Sequence, residues 1–177
     1  MKVIFLDIDG VLNYMNSSVL EETCIDNLRY IISKTGAKIV LISTWKQFLD
    51  DGILSGLSDK DKEDFMYYRN LLNGVFKGDM KIIDIVDDYF SMVKSEVCSA
   101  ISLEELSNKD CSHDAWRSVE VGCWLNKHSD IESFVIIDDF DCEYHKYYPN
   151  NWVQTSWFRD GLSKDLAEKA IAILNKQ

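Results

Sequence analysis

Apolar runs that end in polar or acidic residues punctuate this chain. Lys2–Leu6 is apolar and β-prone without strict alternation, the pattern of a strand buried on both faces of a parallel sheet. It stops at Asp7-Ile8-Asp9-Gly10; a second run, Lys38–Ile42, stops at Ser43-Thr44, and a third, Phe134–Ile137, stops at Asp138-Asp139. Helical spacing fills the intervals. Residues 19–35 place Leu20, Cys24, Leu28, Ile31 and Ile32 on one face, with Ser18-x-x-Glu21 as a capping box and Gly36 as the stop. Residues 114–127 carry Trp116, Val119, Cys123 and Leu125, and residues 164–175 carry Leu166, Ala170, Ile171 and Leu174. Strands interleaved with helices predict an α/β fold with a central parallel sheet and right-handed crossovers.

The stretch 47–112 is longer than a simple crossover needs. Residues 61–76 have helical spacing in Phe65, Tyr68, Leu72 and Val75, and 97–101 reads as a further core strand, so the excess is expected to be a small helical insertion or lid. Val153-Gln154-Thr155 reads as a short last strand, and 143–157 as an aromatic-rich loop.

Composition narrows the field. With 177 residues, 46% of them hydrophobic, and one proline, the chain is expected to form one domain with a substantial core. The net charge of −11 opposes sequence-independent gripping of a polyphosphate backbone, so no strong general nucleic-acid affinity is expected. Five cysteines, at 24, 98, 111, 123 and 142, show no CxxC pair and suggest reduced, mostly buried thiols. The apolar run before Asp7 is too short for a signal peptide or a membrane span, and a cytoplasmic protein without a membrane partner is expected.

In an open parallel sheet, ligands bind outside the carboxyl ends of the strands. That edge would gather Asp7, Asp9, Ser43, Asp138 and Asp139. Two unit charges ~4 Å apart repel by about 4 kcal/mol at an effective dielectric near 20, so such a cluster calls for a cation. An all-oxygen set selects Mg²⁺, which takes one or two carboxylates plus substrate phosphate oxygens. Several of these residues have plainer competing roles. Ser43 has a competing role as the cap of the helix that follows it, with Thr44 then taking its place. Arg117 is placed to pair with Asp114 or Glu120, and Lys46 is the alternative cation. Trp45, Trp116 and Trp124 are expected in the core.

The run Phe5-Leu6-Asp7-Ile8-Asp9-Gly10-Val11-Leu12 resembles the first motif of the haloacid dehalogenase (HAD) superfamily. The order strand–DxDGV, strand–Ser, helix with a basic residue, strand–DD spans Lys2 to Asp139. More narrowly, Leu6–Asn13, Ser43-Thr44-Trp45-Lys46, Arg117 with Glu120 and Trp124-Leu125, Ile137-Asp138-Asp139 and Gly161-Leu162-Ser163 resemble the HAD-type domains of Swiss Army Knife RNA-repair proteins. Where this chain has Lys46, those domains usually present Arg.

The resemblance implies a Rossmann-like HAD core and Mg²⁺-dependent phosphohydrolase chemistry through an aspartyl-phosphate. Carried over residue by residue, Asp7 would be the nucleophile. Asp9 would act as acid and then base, with its backbone carbonyl toward the metal. Ser43, with Thr44 and Lys46, would hold phosphoryl oxygens, and Arg117 would stabilise their charge. Asp138 would join Asp7 and Asp9 on the metal, with Asp139 as a further ligand or orienter. The expected substrate is a phosphomonoester, either a phosphorylated small molecule or a nucleotide or RNA end. The alternative is a non-catalytic or regulatory binding module on the same fold. Response-regulator receivers use similar letters in another order, with the acidic pair after the first strand and a late Lys, and do not fit.

Overall fold

The computed structural model describes residues 1–15, 19–87 and 116–176. Five parallel strands make one sheet in the order β3-β2-β1-β4-β5, with β1 Lys2–Leu6, β2 Lys38–Leu41, β3 Ile82–Ile85, β4 Ser133–Asp138 and β5 Trp152–Gln154. The three apolar runs of the sequence supply the middle of the sheet, because only central strands need apolar side chains on both faces. Ile4, Leu6, Ile39, Leu41, Val135 and Ile137 point to one face, and Val3, Phe5, Val40 and Ile136 to the other. All of these are fully buried, each contributing roughly 1.5–3 kcal/mol for the larger side chains.

The first face is covered by α1 Glu22–Thr35, α3 Asp59–Val75 and α6 Lys164–Leu174, preceded by the short α2 Asp51–Gly56. The second is covered by α4 Trp116–Lys127 and the one-turn α5 Tyr144–Tyr147. Helix ends follow local chemistry. Gly36 adopts the left-handed conformation and its N–H returns to the Ile32 carbonyl at 2.8 Å, closing α1. The Ser58 hydroxyl accepts from the Asp61 N–H at the start of α3. Helix α1 begins at Glu22 after Glu21, which makes no side-chain cap bond; Ser18, the other half of the expected box, lies outside the described residues.

The region after β2 departs from expectation in one respect. It contains α3, as the helical spacing at 61–76 suggests, but also the short α2 and β3, which belongs to the main sheet. An edge strand escapes notice because it is covered on one side only: Ile83 and Ile85 are exposed, and Asp84 interrupts the run. The strand expected at 97–101 lies outside the described residues. Cys24 and Cys142 are free and buried. Cys123 is disulfide-bonded, a correction to the reading of reduced thiols, since no short spacing announces the pairing. Among the described residues, no helix is long and apolar enough to cross a membrane.

Candidate active site

Strand register creates the site. Leu6 lies opposite Ile137 in the β1–β4 pair, so Asp7, just past the end of β1, stands beside Asp138, the last residue of β4, and the Asp7 N–H bonds the Ile137 carbonyl at 3.0 Å. Strands β1 and β4 are also where the chain changes direction across the sheet, the position at which parallel α/β sheets open a crevice. One carboxylate oxygen from each of Asp7, Asp138 and Asp139 lies within 4.8 Å of the others. The cleft above them holds about 410 Å³ and is lined by Asp7, Asp9, Thr44, Lys46, Arg117 and Asp139, among others.

Arg117 sits at the centre of this charge, with Nη1 3.3 Å from Asp7 Oδ1 and 3.0 Å from Asp138 Oδ2. Of its other candidate partners, Glu120 pairs with Lys46 at 3.4 Å, and Asp114 lies outside the described residues. Asp138 is fully buried and well supplied with donors. Its Oδ2 accepts from Arg117 and from the Tyr144 hydroxyl at 3.1 Å, and its Oδ1 accepts from the Phe140 N–H at 3.0 Å. It therefore anchors the guanidinium from below, while half-buried Asp139 faces the cleft. Ser43 is also fully buried; its Oγ accepts from the Trp45 N–H at 3.3 Å, capping the short 3₁₀ turn of residues 44–49. Thr44, one residue on, lines the cleft.

Burial and mutual repulsion set the protonation of these acids. Burial first, then the charge of Asp138, pushes Asp7 up to about 7, although Arg117 and the Ser43 hydroxyl pull it back. Burial, then the charge of Asp7, raises Asp139 to about 6. Asp138 is raised by burial against the opposing pull of Arg117. Burial also weighs against the Arg117 cation, but Asp7 and Asp138 outweigh it and keep the guanidinium charged. The Cys142 thiol at the cleft wall is pushed up to about 12, chiefly by burial, and stays protonated.

Asp9 is held by both of its oxygens. Oδ1 accepts from Asn13 Nδ2 and Oδ2 from the indole Nε1–H of Trp45, each at 2.9 Å. Neither donor is apparent from residue type alone, although both lie inside the motif runs Leu6–Asn13 and Ser43–Lys46; Trp45 is buried, as expected, but it also carries this polar contact. Tyr144 gave no sequence signal at all, standing in what reads as an aromatic loop.

Two glycines let the backbone approach. Gly10 has φ +70°, and a Cβ there would lie 2.3 Å from the Asp139 carboxyl carbon. Gly161 has φ +55°, and a Cβ would lie 2.7 Å from the Val11 carbonyl, which accepts the Leu162 N–H at 2.9 Å. The Gly161-Leu162 turn thus braces the loop that follows β1. Gly10→Ala is expected to destabilise the fold by about 1–3 kcal/mol, from the left-handed backbone and the displaced Asp139. Thermal denaturation of the variant checks the effect.

Compared with known proteins, residues 3–167 match the family described as the HAD domain in Swiss Army Knife RNA repair proteins. The chain belongs to this family. No curated protein and no solved structure gives a match. The HAD domain's five-strand parallel sheet flanked by helices is the Rossmann-like α/β core that the family implies, and membership supports a HAD-like phosphohydrolase in outline.

The residues present in this HAD domain also fit a divalent cation. Asp7 is buried, its Oδ1 has no hydrogen-bond partner and only the longer ion pair to Arg117 at 3.3 Å, and one of its oxygens belongs to a group of three closely spaced carboxylates. The donor set is all oxygen, which suits Mg²⁺ over softer metals. Asp7 and Asp139 would hold the ion from the cleft side, and Asp138 lies close enough to contribute an oxygen from beneath.

Proposed function

We propose that this HAD domain is a Mg²⁺-dependent phosphatase that hydrolyses a phosphomonoester through an aspartyl-phosphate on Asp7. The observation that carries the reading is the convergence, in one cleft, of Asp7, two further acids and the Arg117 guanidinium. When bound there, Mg²⁺ supplies the positive charge that allows several carboxylates and a phosphoryl group to share the space. Arg117 and the Thr44 hydroxyl receive the phosphoryl oxygens, with Ser43 beneath them and Lys46 at the rim. The Asp7 carboxylate attacks phosphorus, the bond to the leaving oxygen breaks, and Asp9 gives that oxygen a proton. Asp9 then takes a proton from the water that attacks the phosphorus of the aspartyl-phosphate, which restores Asp7 and frees inorganic phosphate.

The family description favours a nucleotide or nucleic-acid end as substrate, and the aromatic side chains of Trp116 and Phe140 on the cleft wall suit a base beside the phosphate. Phosphorylated small molecules meet the same phosphoryl chemistry. Phosphate release is measured with Mg²⁺ or EDTA on p-nitrophenyl phosphate, nucleoside monophosphates, sugar phosphates and 3′- or 5′-phosphorylated oligonucleotides. A Mg²⁺-dependent rate on any of these supports the reading; a chain inert on all of them is a binding module.

The two cations should differ in weight. Arg117→Ala is expected to lower kcat/KM by about 10- to 150-fold, the equivalent of a charge-assisted contact of about 1.5–3 kcal/mol. Lys46→Ala should cost less, because its ammonium is held at the rim by Glu120 and the Val86 carbonyl. A larger loss in the Lys46 variant would reverse the assignment.

A further inference from the structure

Trp45 packs as a core residue on one side and reaches the chemistry on the other. Its ring meets Tyr68 edge-on at 5.0 Å and Phe48 at 5.9 Å, while Phe48 stacks on Tyr68 at 4.8 Å and meets Phe65 at 5.4 Å. Tyr68 and Phe65 belong to α3, and Arg69 of the same helix donates to the Phe48 carbonyl at 2.8 Å. The indole is 6% exposed, so it has no room to turn. From this fixed ring the N–H reaches Asp9 Oδ2 at 2.9 Å. The opposite oxygen is held by Asn13 Nδ2, and the Oδ1 of the same side chain accepts the Gly10 N–H at 3.0 Å.

We propose that Trp45 is a positioning residue for Asp9 and that helix α3, through its aromatic contacts, sets the orientation in which that carboxyl meets the substrate. The inference rests on the acid–base role given to Asp9 above. A carboxyl free to rotate presents its proton in the required direction only part of the time, and an acid delivers its benefit only when aligned with the leaving oxygen. Two N–H donors on opposite oxygens remove that rotation. The segment between β2 and β3 thereby acts on the reaction from the side of the core.

The test uses the whole chain with Mg²⁺. Trp45→Phe keeps an aromatic ring and deletes the N–H; a second variant carries benzothienylalanine at position 45, which has the same ring shape with sulfur in place of N–H and guards against a packing defect. Tyr68→Leu loosens the ring from the α3 side. Each is compared with wild type and Asp9→Asn on p-nitrophenyl phosphate, whose leaving group departs readily as an anion, and on phenyl phosphate, whose leaving group needs the proton more. Loss of alignment should cost about 10-fold in kcat/KM on phenyl phosphate, a part of the 10²- to 10⁴-fold that acid–base assistance supplies, and under about 3-fold on the nitrophenyl ester. Tyr68→Leu should follow with a smaller loss of the same selectivity. A structural readout accompanies the rates: the indole ¹H–¹⁵N resonance that disappears in Trp45→Phe should shift upfield in Asp9→Ala. Selective loss in Asp9→Asn with equal or no loss in both position-45 variants overturns the role of Trp45 alone. No selectivity in Asp9→Asn, or an inert wild type, removes the reading of Asp9 and this inference with it.

Discussion

Asp7→Asn should lower phosphate release by at least roughly 1,000-fold while the chain remains folded. Asparagine matches aspartate in shape, so the β1–β4 register and the backbone bond from residue 7 to Ile137 persist. What disappears is the anionic oxygen proposed to attack phosphorus, together with one of the three carboxylates that could hold a cation. Two of its acidic neighbours are already committed elsewhere. Asp138 is fully buried under Arg117 and Tyr144, and Asp9 is tied to Asn13 and Trp45. Continuous phosphate detection on the best substrate, with circular dichroism as the control for folding, decides the matter. A variant that retains a tenth or more of the wild-type rate would exclude Asp7 as nucleophile.

The same residue should govern how stability depends on pH. In the metal-free fold Asp7 is raised from its ordinary 3.8 to about 7, chiefly by burial, so the folded chain holds its proton more tightly than the unfolded chain does. The stability tied to that proton is therefore fully present below about pH 4 and is lost as pH rises through about 7. Asp139, raised to about 6, acts in the same direction. A difference of this size corresponds to about 4 kcal/mol, or roughly 9–17 °C in the unfolding midpoint for a chain of this length. In EDTA, Asp7→Asn should thus melt higher than wild type at pH 8 and close to it at pH 4.5. Mg²⁺ should raise the wild-type midpoint more at pH 8 than at pH 4.5, and should do so much less in the variant. Differential scanning fluorimetry across that range reads all four comparisons. A wild type and variant that differ equally at both pH values would show that residue 7 carries no buried charge.

Much of the fold could be read from local pattern. The runs at 2–6, 38–42 and 134–137 became central strands, because a strand covered on both faces must be apolar along its whole length. Gly36 stopped α1 for a reason that one residue supplies, namely access to positive φ. Edge strand β3 left no such trace, since it is half exposed and carries an acid in its middle. At the site, the acids that end β1 and β4 were visible as strand-terminal residues, and their meeting follows from the strand order of an α/β sheet. The roles of Trp45, Asn13 and Tyr144 were not visible, because residue type says only that a ring or an amide prefers burial.

The sequence alone thus determined the three central strands and the long helices, and which acids stand at those strand ends, since these depend on unbroken apolar runs, on the 3.6-residue helical period and on single punctuating residues. Only the tertiary structure decided that Asp138 carries Arg117 from beneath, that Asp139 faces the cleft, that β3 completes the sheet, and that an indole 36 positions away holds Asp9. Those outcomes depend on the register of nonadjacent strands and on which rings pack together. Both are settled by the whole buried core and by no window of the chain.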